Sequence, residues 1–162
     1  LHDLALGDVL AAAVDAAQEA GRLLRAEFHR PGGPRGSGGH AEVDEQAERV
    51  IREKILAAFP AAYRGEETGT AGGGDSEYTW LVDPNDGTSA YLKGWRGSAV
   101  SIALVRQGTL VLGLDYALTY PNGTPIVTSR TGAPLAHDNL KYWQTLAATR
   151  QYRQNRRDET WH

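Results

Sequence analysis

The stretch WLVDPNDGTSAYLKG, residues 80–94, joins an apolar run to a turn that carries two aspartates. The run up to Asp83 predicts a buried strand. Pro84 then makes the chain turn, because proline lacks the N–H that continues a backbone ladder. Asp86 follows three residues after Asp83, so the turn can direct both carboxylates and a backbone carbonyl at one point. A Gly-Thr pair comes next, and the residues SAYL after it could begin a helical turn.

This order of residues suits a metal ion beside a phosphate. Carboxylate and carbonyl oxygens are the ligands that Mg²⁺ prefers, and backbone N–H groups at a glycine turn or helix start can bind an anion. The upstream GEET loop, residues 65–68, offers two more carboxylates, and Asp44 lies near the start of a predicted helix. If these loops converge, they would permit two-metal hydrolysis of a phosphate ester, with metals that neutralise the phosphate and lower the pKa of a bound water.

Two amphipathic helices are predicted before this stretch. Apolar positions recur every three or four residues over 4–28 and again over 43–59, the period of a helix with one buried face. Pro60 ends the second helix because its ring and missing N–H interrupt the ladder. The Pro- and Gly-rich segment 29–40 and the polar, Gly-rich segment 63–78 are both typical of loops.

Strands dominate the sequence that follows. The β-rich runs 98–106 and 109–117 are joined by Gln107-Gly108, which predicts a hairpin. Residues 124–129 predict a fourth strand, and 137–162 a final helix with one basic face. The whole chain is therefore predicted to be a single α+β domain, with two N-terminal helices packed on a largely antiparallel sheet.

Composition excludes several classes of protein. A net charge of -3 does not favour a non-specific nucleic-acid binder, and no stretch approaches the roughly 18 apolar residues of a membrane helix. The chain has no cysteine, so a metal would be held by oxygen or histidine, and a cytoplasmic location is expected. The basic face of 137–162 is more typical of a solvated surface than of a nucleic-acid interface.

Plainer interpretations of the same residues stay open. A Pro-x-Asp-Gly stretch alone is ordinary turn chemistry, and an acid at a helix start, such as Asp44, commonly serves the helix dipole. An EF-hand Ca²⁺ loop is excluded because Gly94 stands where the bidentate Glu belongs. Trp80 is expected in the core, and Trp95 is expected to pack rather than to flank a site. The histidines at loops or element ends are expected only to be solvated: His29, His40 and His137.

Taken together, the motifs resemble one family. The GEET loop, the stretch 80–94 and the run SAVSIALVRQGTLVLG, in this order and spacing, are similar to the inositol monophosphatase superfamily of Mg²⁺-dependent, lithium-sensitive phosphatases. Over residues 4–118 the resemblance implies a metal-binding α+β core like the N-terminal half of the layered α/β sugar-phosphatase fold. It leans towards the 3′(2′),5′-bisphosphate nucleotidase-like branch. Residues 119–162 are expected to be a diverged strand and the basic C-terminal helix.

The resemblance implies which residues hold Mg²⁺. Glu66, Asp83 and the backbone carbonyl of Asn85 would hold the first ion, and Asp83 and Asp86 would share in the second. Asn85 replaces the usual Ile or Leu of the family, which is tolerable because only its carbonyl is needed.

The resemblance also implies the catalytic and substrate-binding residues. Thr88, paired with Asp44, would orient and deprotonate the attacking water, and Glu67 would assist nearby. The amides of Gly87 and Thr88 would bind the phosphate, with Ser89 in the same substrate-binding turn. The early-aspartate match is looser than the others, because the family's Val-Thr-x-x-Asp reads here Ala-Glu-Val-Asp.

The implied activity is a Mg²⁺-dependent phosphomonoesterase acting on a small phosphorylated alcohol, inositol phosphate-like, or a 3′-phosphonucleotide. The implied assembly is a homodimer with neither membrane nor nucleic acid as partner. The family continues for about as long again and supplies a further aspartate in a Trp-Asp-x-Ala motif, which these residues do not contain. The chain is then either a truncated product or a short form with a weakened second metal site. The alternative function is a non-catalytic metal- or phosphate-binding remnant that acts as an assembly partner.

Overall fold

The computed structural model describes residues 3–95, 97–118 and 125–129. Its helices are α1 (Asp3–Phe28), α2 (Asp44–Ala58) and α3 (Thr88–Leu92). A small hairpin is formed by β1 (Gly36–Ser37) and β2 (His40–Ala41). The larger sheet is formed by β3 (Ala62–Gly65), β4 (Gly69–Ala71), β5 (Tyr78–Asp86), β6 (Ala99–Arg106), β7 (Thr109–Ala117) and β8 (Pro125–Ser129).

The larger sheet has the strand order β4-β3-β5-β6-β7-β8. Neighbouring strands are antiparallel in the described part of the chain except for β3 and β5, which run parallel. The two long helices pack against each other and against this sheet. The predicted α+β class, with two N-terminal helices on a largely antiparallel sheet, is confirmed.

Alternation along the strands divides the core between the two faces of the sheet. Trp80 and Val82 of β5 pack with Leu24 of α1 and Ile51 of α2 in the main hydrophobic cluster. Leu81, which lies between them on β5, belongs to a smaller cluster on the opposite face, because successive strand residues point to opposite sides. Burial of the apolar stripes of α1 and α2 therefore orients both helices relative to the strand that ends at Asp83.

The turn between β6 and β7 matches the prediction from Gln107-Gly108. Both residues have positive φ, 47° at Gln107 and 78° at Gly108, as a two-residue type I′ hairpin requires. Further along β7 the register shifts, so that Leu104 faces Leu112 while Val105 faces Leu110. The extra residue reverses the side to which the strand's side chains point.

Two segments that were predicted to be loops contain strands. The segment 63–78 holds most of β3 and all of β4, and 29–40 holds β1 and the first residue of β2. β3 was missed because it is short, with only Tyr63 as a large strand-forming residue, and because its ladder comes from parallel pairing with β5, 17 positions away. Local composition carries no sign of such non-local pairing.

The remaining sequence predictions have mixed outcomes. β8 confirms the fourth strand, and Trp80 is fully buried. Trp95 is 61% exposed, so the expectation that it packs is wrong; its indole lies instead 4.8 Å from the Lys93 ammonium. The predicted helix 137–162 lies outside the described residues. None of the described helices has both the length and the apolar character needed to cross a bilayer.

An ion pair holds the small hairpin to the end of α1. The buried Glu27 carboxylate accepts hydrogen bonds from the Arg35 backbone N–H, from Nε and from a terminal guanidinium nitrogen, each at 2.9 Å. The guanidinium lowers the pKa of Glu27 to about 2. A lowered folded-state pKa stabilises the protein above the ordinary value near 4.5, and this stabilisation is lost as the pH falls towards 2.

We therefore expect Glu27→Gln to lower the melting temperature at pH 7, with a gap to the parent protein that narrows as the pH falls from about 4.5 to about 2. Thermal unfolding followed by circular dichroism over this pH range measures the gap. Glu42→Gln is the matched control, because Glu42 is exposed and lies 3.6 Å from Arg35 Nε. A gap that stays constant with pH would contradict the assignment.

Candidate active site

The site is organised by a bulge in β5. Asp83 pairs with Ser101 and Asp86 pairs with Ala99, so one extra residue is accommodated on β5 between these pairs. The strand thus runs to Asp86, three residues past its predicted end. Pro84 does not end the pairing because a bulge leaves its missing N–H outside the ladder. A bulge also bends the strand and redirects its side chains. The carboxylates of Asp83 and Asp86 therefore do not follow the simple alternation of a regular strand.

The parallel neighbour brings the first of the upstream glutamates to this point. Gly65 of β3 pairs with Val82 of β5, and the Glu66 N–H donates to the Val82 carbonyl at 3.1 Å. Glu66 therefore lies beside Asp83 at the carboxyl end of two parallel strands. The predicted convergence of the GEET loop and the Asp-rich stretch is present at the level of the backbone.

Asp44, the first residue of α2, is joined to the bulge by buried hydrogen bonds. Its Oδ1 accepts from Asn85 Nδ2 at 2.9 Å, and its Oδ2 accepts from the Ala41 N–H at 3.0 Å. Thr88 Oγ1 lies 3.4 Å from the same Oδ2 and donates at 2.7 Å to the Asn85 carbonyl. Burial is the main cause that raises the pKa of Asp44. The predicted association of Asp44 with Thr88 is thus present, with Asn85 bound to both.

Glu67 lies in the same acidic surroundings. Its Oε2 is 2.8 Å from His40 Nδ1. Burial first, and then the charges of Asp44, Glu66 and Glu48, raise the pKa of Glu67 to about 7, although His40 acts in the opposite direction. Carboxylates that raise each other's pKa lie in a region of excess negative charge, which a divalent cation would neutralise.

The structure groups some of the predicted metal ligands and not others. Within the described residues, His40, Asp44 and Glu67 form a group whose ligand atoms all lie within 4.8 Å of one another. The predicted trio Glu66, Asp83 and Asp86 is not such a group in that part of the chain. Asp83 is buried, whereas the other two are half-buried. The oxygen-rich donor set fits a hard cation such as Mg²⁺.

The substrate-binding residues lie at the start of α3. Gly87 precedes this helix with φ 95°, a left-handed conformation that suits glycine. An added Cβ at Gly87 would also lie 3.3 Å from the Gly97 carbonyl oxygen. The first N–H groups of a helix have no partner within it, so the amides of Thr88 and Ser89 have no acceptor within α3. This geometry is compatible with the predicted phosphate contact.

Two residues of the site were missed in the sequence. His40 was expected only to be solvated, yet it contacts Glu67. Glu48 is fully buried, and its carboxylate accepts from the backbone N–H of Glu67 at 2.6 Å and of Thr68 at 2.9 Å, and from the Thr68 hydroxyl. A signal for Glu48 was available, because it follows Asp44 by one helical turn and so shares its buried face. His40 carried no comparable signal.

The acidic surroundings predict that Glu67→Gln stabilises the metal-free protein. A folded-state pKa raised to about 7 means that stability is greatest below the ordinary value of 4.5 and falls as the pH rises through 7. Glutamine keeps an acceptor for His40 but carries no charge. We expect the variant to melt roughly 2–6 °C higher than the parent at pH 8, and the two to converge towards pH 4.

Thermal unfolding in a chelator tests this expectation. Glu53→Gln is the matched control, because Glu53 is an exposed acid on the same helix as Glu48, and it should leave the melting temperature within about 1 °C. A Glu67→Gln protein that melts below the parent at pH 8 would show that the net electrostatic interaction of the Glu67 carboxylate is attractive and not repulsive.

Comparison with known proteins identifies the family of this chain. The sequence profile of the inositol monophosphatase family matches residues 5–153. Inositol-1-monophosphatase of Mesorhizobium japonicum is 39% identical over 109 residues, which are 64% of this chain and 41% of that protein. Nus factor SuhB of Xylella fastidiosa is 45% identical over 69 residues, 42% of this chain and 24% of that protein.

A solved structure has the same fold. The extragenic suppressor protein suhB from Bartonella henselae superposes with a TM-score of 0.71 and 31% identity, covering 80% of this chain and 52% of that one. The chain thus spans about half, or less, of the length of these relatives. The profile match extends past residue 118, up to which the sequence motifs carry the resemblance. With most of its residues matched in sequence and its architecture shared, this chain belongs to the inositol monophosphatase family.

Proposed function

We propose that this chain forms the metal- and phosphate-binding part of a Mg²⁺-dependent phosphomonoesterase. Its substrate would be a small phosphorylated alcohol, inositol phosphate-like, or a 3′-phosphonucleotide. The observation that carries the proposal is the buried hydrogen-bond network at the end of β5. In this network the Asn85 N–H donates to Asp83 Oδ1 at 3.0 Å, and the Asn85 side chain donates to Asp44 at 2.9 Å. Such a network joins a candidate metal ligand to a candidate base.

Four residues of this chain would hold Mg²⁺: Glu66, Asp83, Asp86 and, through its carbonyl, Asn85. When bound, Mg²⁺ supplies neutralisation of the phosphate charge and a lower pKa for water at the site. The assignment is supported because all of these ligand atoms are oxygens. It is also supported because the charge of Glu66 raises the pKa of Asp44, as expected where negative charge is in excess. Without a bound cation the same carboxylates would repel a phosphate, and a bound Mg²⁺ would neutralise them.

Asp44 would receive the proton of the attacking water at Oδ2. A general base works best when its pKa approaches the working pH, and burial shifts the pKa of Asp44 in that direction. Thr88, with its hydroxyl 3.4 Å from Oδ2, would orient the water, and Glu67 would assist nearby. The amides of Gly87, Thr88 and Ser89 would bind the phosphate oxygens.

A second function is favoured by the name of one relative. Over 69 residues this chain is 45% identical to a protein named Nus factor SuhB. The second candidate is a non-catalytic remnant of the family that binds metal or phosphate and acts as an assembly partner. A homodimer belongs to both alternatives, and light scattering after gel filtration measures it.

Phosphate release by the purified chain distinguishes the two functions. Inositol 1-phosphate and 3′-phosphoadenosine 5′-phosphate would be assayed with Mg²⁺ and with a chelator, while Mn²⁺ binding is followed by electron paramagnetic resonance. The phosphatase proposal expects release that requires Mg²⁺. Mn²⁺ binding with no release above background would favour the remnant, and the absence of both would overturn the metal site itself.

A further inference from the structure

The side chain of Asn85 has a contact that a backbone ligand does not need. Asn85 is 1% exposed and Asp44 is fully buried, and they are joined by the 2.9 Å hydrogen bond from Nδ2 to Oδ1. A donor to a buried carboxylate forms a strong, charge-assisted bond. This bond occupies one carboxylate oxygen and leaves the other, Oδ2, to face Ala41 N–H and the Thr88 hydroxyl.

The same residue bonds to the two other groups of the site. Its N–H donates to Asp83 Oδ1 at 3.0 Å, and its carbonyl accepts from Thr88 Oγ1 at 2.7 Å. Asn85 therefore contacts Asp83, Asp44 and Thr88 at once. Both backbone contacts would survive a change of side chain, whereas the contact with Asp44 would not.

An asparagine at this position is not explained by packing. Its Oδ1 is buried and has no hydrogen-bond partner among the described residues, and a buried acceptor without a partner costs about 1–3 kcal/mol. An apolar side chain would avoid that cost, although it would also leave Asp44 without the hydrogen bond from Nδ2. A polar side chain that is kept at such a cost is typical of functional sites.

We propose that the Asn85 side chain is a positioning residue, which holds the Asp44 carboxylate with Oδ2 directed at the reacting water. The proposal rests on the phosphatase function above. Asn85 acts through Asp44 and does not touch the substrate. Leucine at this position would leave the metal ligands and the phosphate-binding amides in place but would let the Asp44 carboxylate rotate.

The test is a double-mutant cycle of Asn85→Leu and Asp44→Asn. Asn85→Leu should lower kcat by roughly 10–100-fold, the range for losing a group that orients a site residue. KM and Mn²⁺ affinity should stay within about twofold. In the Asp44→Asn background the same substitution should cause no further loss, because the carboxylate to be positioned is gone. Parent-like kcat in Asn85→Leu, or losses that multiply in the double variant, would overturn the proposal.

A readout that does not depend on turnover separates this proposal from the proposed function. Asn85→Leu should lower the melting temperature because it leaves the buried Asp44 without its donor, and Asn85→Leu/Asp44→Ala should recover part of that loss. If the parent chain releases no phosphate, the proposed function fails, but the melting temperatures of these variants still test the contact between Asn85 and Asp44. If the decreases in melting temperature of the two single variants simply add in the double variant, the positioning role is overturned as well.

Discussion

Asp83→Asn is expected to weaken divalent-cation binding by roughly 100-fold or more and to remove Mg²⁺-dependent turnover, while the fold stays intact. Groups that merely support a ligand account for 10–100-fold in affinity, so the loss of a charged ligand should reach at least the upper end. Asp83 is buried next to Glu66 at the ends of β5 and β3. The fold should survive because asparagine keeps an oxygen that can accept the Asn85 N–H, now at 3.0 Å.

Mn²⁺ titration monitored by electron paramagnetic resonance measures the affinity, and circular dichroism checks the fold. Asp75→Asn is the matched control, because Asp75 is an exposed acid in the segment before β5. The control should bind Mn²⁺ as the parent does. Unchanged Mn²⁺ affinity in Asp83→Asn would remove Asp83 from the metal site and leave His40, Asp44 and Glu67 as the remaining candidates for holding an ion.

Gly65→Ala is expected to destabilise the protein by about 3–5 kcal/mol, or roughly 6–20 °C in melting temperature. A Cβ at this position would meet the Glu48 carboxylate, with Oε1 at 1.8 Å, and the Tyr63 hydroxyl at 2.8 Å. The Glu48 carboxylate cannot move aside without leaving the N–H groups of Glu67 and Thr68, to which it is bonded. A buried charge would then lose its partners, which is among the most destabilising single changes.

Gly7→Ala provides the contrast for this prediction. Gly7 lies in α1 with nothing within 4 Å of an added Cβ, so alanine should stabilise the helix by about 0.5–1 kcal/mol. Chemical denaturation of both variants measures the two changes on one scale. If Gly65→Ala is no less stable than the parent, the contact between Glu48 and the GEET loop must be looser than the distances indicate.

The fold could be predicted from sequence wherever the signal was local. Helical periodicity marked α1 and α2, and Gln107-Gly108 marked the hairpin, because the residues that determine these elements are neighbours in the chain. β3 was missed because its ladder is formed with β5, and the bulge at Pro84 was missed because only the pairing of Asp83 and Asp86 with β6 reveals it. Non-local pairing leaves little trace in composition.

The sequence predicted which residues form the candidate site, but it did not predict how they contact each other. Motif spacing pointed to Asp44, Asp83 and Thr88, and the hydrogen bonds among them through Asn85 agree with that grouping. The roles of those residues stay predictions. His40 and the Asn85 side chain could not be found in this way, because their importance arises from partners 27 and 41 positions away, Glu67 and Asp44 respectively.

The bond between Asn85 and Asp44 spans 41 positions of the chain, whereas the β6–β7 turn closes over two residues. Closing the longer segment loses more chain entropy, so we expect the hairpin to form early in folding and the acidic centre to assemble late. By microscopic reversibility, an acidic centre that assembles last should also be the first part to come apart when the protein unfolds. Release of a spectroscopic ion would then report this local opening before the sheet itself is lost.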